Sequence, residues 1–169
     1  MSALNRLLQT SDPANEILPG LWLGNRVAAL DQEFLEGKKI RAVFNCTKDI
    51  PFHFSVTRRY RLPVDDNLQM AEIRNMELWS FEVTYKIAHE LRRAQQEGGA
   101  ILVHCAAGMQ RSAAACAMYC IASQNASTDQ AIEFIQSKRP IAFRPKANFE
   151  QSIRGFETAY NRDIRPNIQ

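Results

Sequence analysis

Residues 100–124 read AILVHCAAGMQRSAAACAMYCIASQ, and this stretch limits the fold more than any other. The run 100–104 is short and apolar on both faces, which suits a strand buried inside a parallel sheet. Residues 111–124 are small and apolar with no polar face, so the helix they form must be buried nearly all round. Between the two lies a short loop, Cys105 to Gln110, built largely of Ala and Gly. A buried strand, a tight loop and a buried helix in succession require a layered α/β core, with enough chain on either side to cover it.

The flanking sequence supplies that cover. Residues 2–9 read as a short amphipathic helix and 11–15 as a linker. EILPGLWLGN gives two short strands around a turn at Pro19–Gly20. Residues 26–36 have helical spacing and stop at Gly37. Residues 40–46, IRAVFNC, form a buried-strand pattern, 50–57 a loop or short helix, and 58–64 a further strand. A long helix is predicted over 73–97, with Ile73, Met76, Trp79, Val83, Ile87 and Leu91 on one stripe and Gly98–Gly99 ending it. Two more helices follow near 128–138 and 147–161, and the tail DIRPNIQ reads as loose. The fold expected is α/β, with a mostly parallel central sheet of four to five strands flanked by helices. The division expected is an N-terminal segment, 1–15, a catalytic-type domain, 16–161, and a C-terminal tail, 162–169.

Composition narrows the chemistry. The 21 basic and 18 acidic side chains give a net charge of +3, too mild to imply nucleic acid by itself and compatible with an anionic substrate. The longest apolar stretch, Ala113 to Ala122, is about half a membrane span. The N-terminus lacks the apolar core of a signal peptide, and no Gly follows Met1 to accept a myristoyl group. A cytoplasmic protein with access to the nucleus is expected. The four cysteines include no Cys-x-x-Cys pair and the three histidines are scattered, so reduced thiols, no metal site and no cofactor are expected.

The loop itself carries the chemistry. Between the carboxyl end of a strand and the amino end of a helix, backbone N–H groups lack partners and form an anion site. Ala106, Ala107 and Gly108 let backbone wrap closely around a phosphate, with Met109 and Gln110 completing the turn. Arg111 opens the helix and offers a planar set of donors that can hold two phosphate oxygens at once. The same field favours a thiolate at Cys105, whose ordinary pKa is about 8.5. An ionised Cys105 beneath a bound phosphate is placed to attack phosphorus. Ser112 can donate to the sulfur and ease its later departure. His104, directly before the nucleophile in a strand, points the opposite way and is read as an orienter that bonds loop carbonyls. Cys116 and Cys120 are read as core packing.

HCAAGMQRSA resembles the His-Cys-x5-Arg-Ser/Thr signature of cysteine-based protein phosphatases, in particular the dual-specificity subgroup. LPGLWLGNRVAALD resembles that family's opening strand pair and helix, IRAVFNCT its second core strand, and YRLPVDDN the entry to its acid loop. AIEFIQSKRPIAFRPKANFEQSIRGFE resembles its closing helices, so the likeness covers residues 16–160. It implies a small single-domain phosphatase that hydrolyses phosphotyrosine and phosphoserine or phosphothreonine in proteins through a phosphocysteine intermediate. The family's acid sits three residues after the proline, which maps to Asp66, with Asp65 left as a loop or capping residue. Asn148 resembles an asparagine that buttresses the phosphate loop, or else simply starts a helix. Cys46 resembles a position that can shield an oxidised nucleophile through a disulfide, or else is a plain buried thiol. Gln110 departs from the Ser, Asn or Lys more frequent there, and its side chain is expected at the pocket rim.

The resemblance also sets the partners. Phosphorylated proteins are the expected substrates. RNA 5′-phosphates and phosphoinositides are alternatives with the same site, though the modest charge argues against the first and the lysine-free loop against the second. A catalytically inactive phosphate-binding module is a third reading, opposed by the presence of Cys105, Asp66 and Arg111 together. Arg58, Arg59, Arg61, Arg139, Arg144 and Lys146 are expected on the surface, some at the pocket rim. Residues 1–15 leave open a homodimer by exchange between protomers.

Overall fold

A computed structural model of the chain describes residues 1–168. Its sheet begins with β1, Ala14–Leu18, and β2, Leu21–Gly24, which pair antiparallel around the Pro19–Gly20 turn. Gly20 takes a φ of +83°, a conformation that glycine adopts without strain. β3, Ile40–Asn45, β4, Arg58–Arg61, and β5, Ala100–His104, complete the sheet in the order β1-β2-β5-β3-β4. All pairs beyond β1–β2 are parallel, and β5 lies in the centre with all five residues buried. The mostly parallel α/β sheet expected from the sequence is present.

Side-chain alternation along the central strands divides the interior in two. Ile101 and Val103 of β5, Ala42 and Phe44 of β3, and Leu21 and Leu23 of β2 face the larger core. Leu102 and Val43 face the smaller one, with Trp22 packed against it. The larger core is roofed by α4, Met70–Gln96, α5, Arg111–Gln124, α6, Thr128–Lys138, and α7, Glu150–Asp163. The smaller is covered by α2, Arg26–Ala29, and α3, Gln32–Gly37. α5 touches α4, α6, α7, β2 and β5, and Ser112 to Met118 are all buried. That is the environment its uniformly small, apolar sequence demands. An amphipathic α1, Ala3–Thr10, precedes the sheet with none of its residues buried.

Several boundaries differ from the sequence reading, each for a local reason. The helix expected over 26–36 is two helices. Asp31 takes an extended backbone and its side chain accepts from the Glu33 N–H at 3.0 Å, capping α3 and ending α2. β4 ends at Arg61, short of residue 64: Leu62 N–H still reaches the Asn45 carbonyl, but Pro63 has no N–H and Val64 N–H turns back to Leu62. α4 starts at Met70, ahead of the expected Ile73, and α7 starts at Glu150. The linker gives way to β1 already at Ala14. The tail is tied down: a 3₁₀ turn at Arg165–Asn167 places the Arg165 guanidinium on the Ile121 carbonyl (3.1 Å) and over the Tyr160 ring. Gln169 lies outside the described residues. Among those described, no helix is long and apolar enough to cross a membrane.

Candidate active site

The loop Cys105–Gln110 joins the end of β5 to the start of α5, and its backbone carbonyls are all occupied. His104 Nδ1 meets the Cys105 carbonyl at 3.2 Å, and the Ala106 carbonyl accepts from Arg26 N–H at 3.1 Å. Ala107 and Gly108 carbonyls accept from Arg139 Nη2 at 3.4 Å and Nε at 2.8 Å. Met109 accepts from Phe143 N–H and Gln110 from Ala114 N–H, each at 2.8 Å. The Cys105 N–H reaches the Gly24 carbonyl at 3.4 Å, whereas no backbone carbonyl among the described residues accepts from the N–H groups of Ala106 to Gln110, which are left to face an anion. Gly108 makes this path feasible. Its φ is +66°, and a Cβ there would stand 2.5 Å from the Gly24 carbonyl oxygen, so the loop rests directly on β2.

Cys105 is buried, with its sulfur 3.1 Å from Ser112 Oγ. Burial alone pushes the thiol's pKa up. The Ser112 hydroxyl, the Ser112 amide, the Arg111 charge and the Gly108 amide together outweigh it and hold the pKa below the ordinary thiol value. Cys46 is the counterexample one strand away. It follows Asn45, which pairs with His104, so Cys46 and Cys105 stand side by side at the ends of β3 and β5. Its N–H donates to the His104 carbonyl, and its thiol is pushed well up, first by burial and then by the Cys105 charge. All four cysteines are free.

His104 is buried. Its Nδ1 bonds a carbonyl, so that nitrogen carries the proton, and Nε2 has no partner among the described residues. Burial lowers its pKa to about 4, so the ring is neutral at physiological pH and acts as a fixed strut.

Arg111 is half-buried at the first position of α5, with Nη1 on the Val64 carbonyl at 3.0 Å. That bond ties the signature loop to the acid loop. Within the acid loop the two aspartates divide. Asp65 pairs with Lys48 (3.1 Å), and its N–H donates to the Glu72 carboxylate, which also pairs with Lys48. The Asp65 amide is the main reason the Glu72 pKa is lowered. Asp66 is exposed, and its Oδ1 accepts from Asn148 Nδ2 at 3.0 Å. Asp65 is therefore engaged in holding the loop, and Asp66 carries the free carboxylate edge.

The family model described as "Dual specificity phosphatase, catalytic domain" matches residues 21–159. The chain belongs to the dual-specificity phosphatase family. Human dual specificity protein phosphatase 2 is 36% identical to it over 144 residues, which make up 85% of this chain and 43% of that protein. The chain thus spans less than half the length of that curated relative. The crystal structure of human DUSP28 superposes with a TM-score of 0.71 at 26% identity, covering 89% of this chain and 96% of that one. The human tyrosine phosphatase-like serine/threonine/tyrosine-interacting protein gives 0.69, also at 26% identity, over 88% and 97%.

Against the resemblance to other dual-specificity phosphatases, three placements need correction. Gln110 is not at the rim. It is 6% exposed, and its amide bonds the Arg144 and Lys146 carbonyls and the Asn148 N–H, because the longer side chain reaches across to that segment. The Asn148 side chain does not buttress the phosphate loop and caps no helix; it reaches Asp66, and α7 is preceded by Phe149 with no side-chain cap. Arg139 is not on the surface. It is fully buried beneath the loop, where Nη1 also donates to the Asp12 carbonyl (2.7 Å) and to Asn15 Oδ1 (2.8 Å). Arg139 is thus the buttress of this site. The Lys-Arg-Pro that ends α6 gives no sequence sign of burial; only the following Ile-Ala-Phe, itself buried, hints that the chain turns inward there. Arg59 and Arg61 are also committed, donating to carbonyls of the 47–56 loop.

Proposed function

We propose that the chain hydrolyses phosphate monoesters on tyrosine and on serine or threonine of proteins, through a phosphocysteine intermediate. The observation that carries this reading is the Cys105 sulfur, 3.1 Å from Ser112 Oγ at the base of a loop whose carbonyls are all occupied, a setting that lowers the thiol's pKa. The loop amides and Arg111 bind the phosphoryl oxygens and stabilise the charge that develops on them. The thiolate attacks phosphorus, the phosphorus–oxygen ester bond breaks, and Asp66 gives its proton to the departing oxygen. Water then attacks the phosphocysteine and returns a proton to Asp66. Sulfur leaves as a thiolate, eased by the Ser112 hydroxyl, and inorganic phosphate is released. Neutral His104 takes no proton in either step. The acid loop is short and Asp66 is exposed, which suits a shallow cleft open to alkyl as well as aryl phosphates.

A panel assay tests the reading. Phosphotyrosine and phosphothreonine peptides are compared with a phosphoinositide and a 5′-triphosphate RNA, with Cys105→Ser as control. The expected result is turnover of both peptides and none by the variant. Faster release from RNA or lipid overturns the substrate class. Turnover by Cys105→Ser overturns the mechanism, and binding without turnover by the unaltered chain makes it a phosphate-binding module.

A further inference from the structure

We infer that Gln110 is a positioning residue for the acid, fixing Asp66 relative to the nucleophile through residues 144–148. The inference rests on the reading of Asp66 as proton donor. Three bonds from the Gln110 amide converge on one segment: Nε2 to the Arg144 carbonyl (3.2 Å), Nε2 to the Lys146 carbonyl (2.8 Å), and Asn148 N–H to Oε1 (2.9 Å). That segment has no helix or strand of its own, and Arg144, Pro145 and Lys146 are exposed. Its ends are anchored by buried Phe143 and Phe149, and between them the Gln110 amide makes three of its ties, beside Arg144 Nε on the Pro140 carbonyl at 3.3 Å. From the same segment Asn148 Nδ2 donates to Asp66 Oδ1 at 3.0 Å. A donor on Oδ1 leaves the acidic proton to Oδ2, so Asn148 orients the carboxyl group as well as placing it.

The side chain next to Arg111 therefore connects the phosphate-binding loop to the acid by a continuous route: Gln110 to Asn148, and Asn148 to Asp66. A shorter side chain at position 110 cannot span this gap. The route bears on substrate choice, because only a poor leaving group needs the proton during bond breaking. A phosphothreonine alkoxide depends on Asp66 being in place, and a nitrophenolate hardly does.

The test compares kcat/KM for a phosphothreonine peptide and for 4-nitrophenyl phosphate. In Gln110→Met, which keeps the volume and loses the bonds, the aryl-to-peptide ratio should rise about tenfold, the scale of effect expected when a reacting group is held loosely. In an Asp66→Asn background the same change should widen the ratio no further, since there is no proton left to place. Asn148→Ala cuts the route one bond later and should give the same rise, which keeps the test open if Gln110→Met does not fold. An equal loss on both substrates, with the ratio unmoved, overturns the inference and leaves Gln110 as packing. If Asp66→Asn itself leaves the ratio unchanged, the proton-donor reading fails and the inference falls with it. The two failures are thus told apart.

Discussion

From Cys105 to Gln110 every backbone carbonyl has a donor, whereas the loop from Asp65 to Gln69 stands largely in solvent on a few side-chain ties. The first region is held by backbone and buried side chains, and it sits over a core that packs β5 against α5. The second is held by Arg111 on Val64, Lys48 and Glu72 on Asp65, and Asn148 on Asp66. The difference matches the tasks. Stabilising an anion requires donors that do not reorganise when charge arrives. Delivering a proton to oxygens of different size and reach requires only a carboxyl at the right distance. Rigidity is concentrated where charge develops, and the acid is mounted on contacts that can be altered without disturbing the fold.

Four measurements can break or sharpen this contrast, from the largest expected effect to the smallest. Arg139→Met leaves the buried Gly108 carbonyl without its donor, a loss of about 1–3 kcal/mol, and also removes the part-buried bonds to Asp12, Asn15 and Ala107. Chemical denaturation should show several kcal/mol of lost stability, and turnover should fall on all substrates alike. A variant as stable as the parent would mean that the loop does not depend on its buttress.

Acid pH should act on the rigid region next. His104 has a folded-state pKa of about 4 against an ordinary value of 6.5. Between those values the unfolded chain binds the extra proton, so stability is fully present above 6.5 and is lost as pH falls toward 4. The upper limit is about 3 kcal/mol, from 1.36 kcal/mol per unit. Thermal midpoints followed from pH 7 to pH 4 should fall, and His104→Asn should flatten that fall. Parallel curves for the two proteins would remove His104 as the cause.

In the acid loop, Asp66→Asn should slow phosphothreonine peptide turnover about a hundredfold and nitrophenyl phosphate far less. Its denaturation midpoint should match the parent, because Asp66 is exposed with a single side-chain bond. A large loss of stability would show that the acid loop carries more of the fold than its exposure indicates. The smallest effect is expected from Lys48→Met. Lys48 is 44% exposed, and ion pairs of that kind contribute up to about 1 kcal/mol. The result should be a slight drop in stability and a modest rise in the aryl-to-peptide ratio, both fading as salt is added to the parent.

The two regions also differed in how far the sequence revealed them. The strand, loop and helix of the signature are contiguous, so spacing and composition alone placed Cys105, the small residues, Arg111 and Ser112 together. Asp66 was reached only through family resemblance, because nothing local separates it from Asp65; the separation comes from Lys48 and Glu72, which lie elsewhere in the chain. The burial of Arg139 is hidden from the sequence for the same kind of reason. A charged residue at the end of an amphipathic helix is ordinarily solvated, and its burial is explained by carbonyls 31 and 127 residues away. The place of Gln110 is not legible locally, because the length of its side chain matters only once the 144–148 segment is beside it. By contrast the break at Asp31 was readable in principle, since a capping residue stood inside the helical pattern.

The Arg139 bonds have one more consequence, for the order in which the chain becomes reactive during synthesis. They join Asn15, the loop carbonyls and Arg139, which stands 124 positions after Asn15. A nascent chain that stops short of Arg139 holds Cys105 but cannot close the loop in this form. The electrophile-seeking sulfur thus comes of age only once Arg139 has been made, and products cut short of it lack the clamp that shapes its setting.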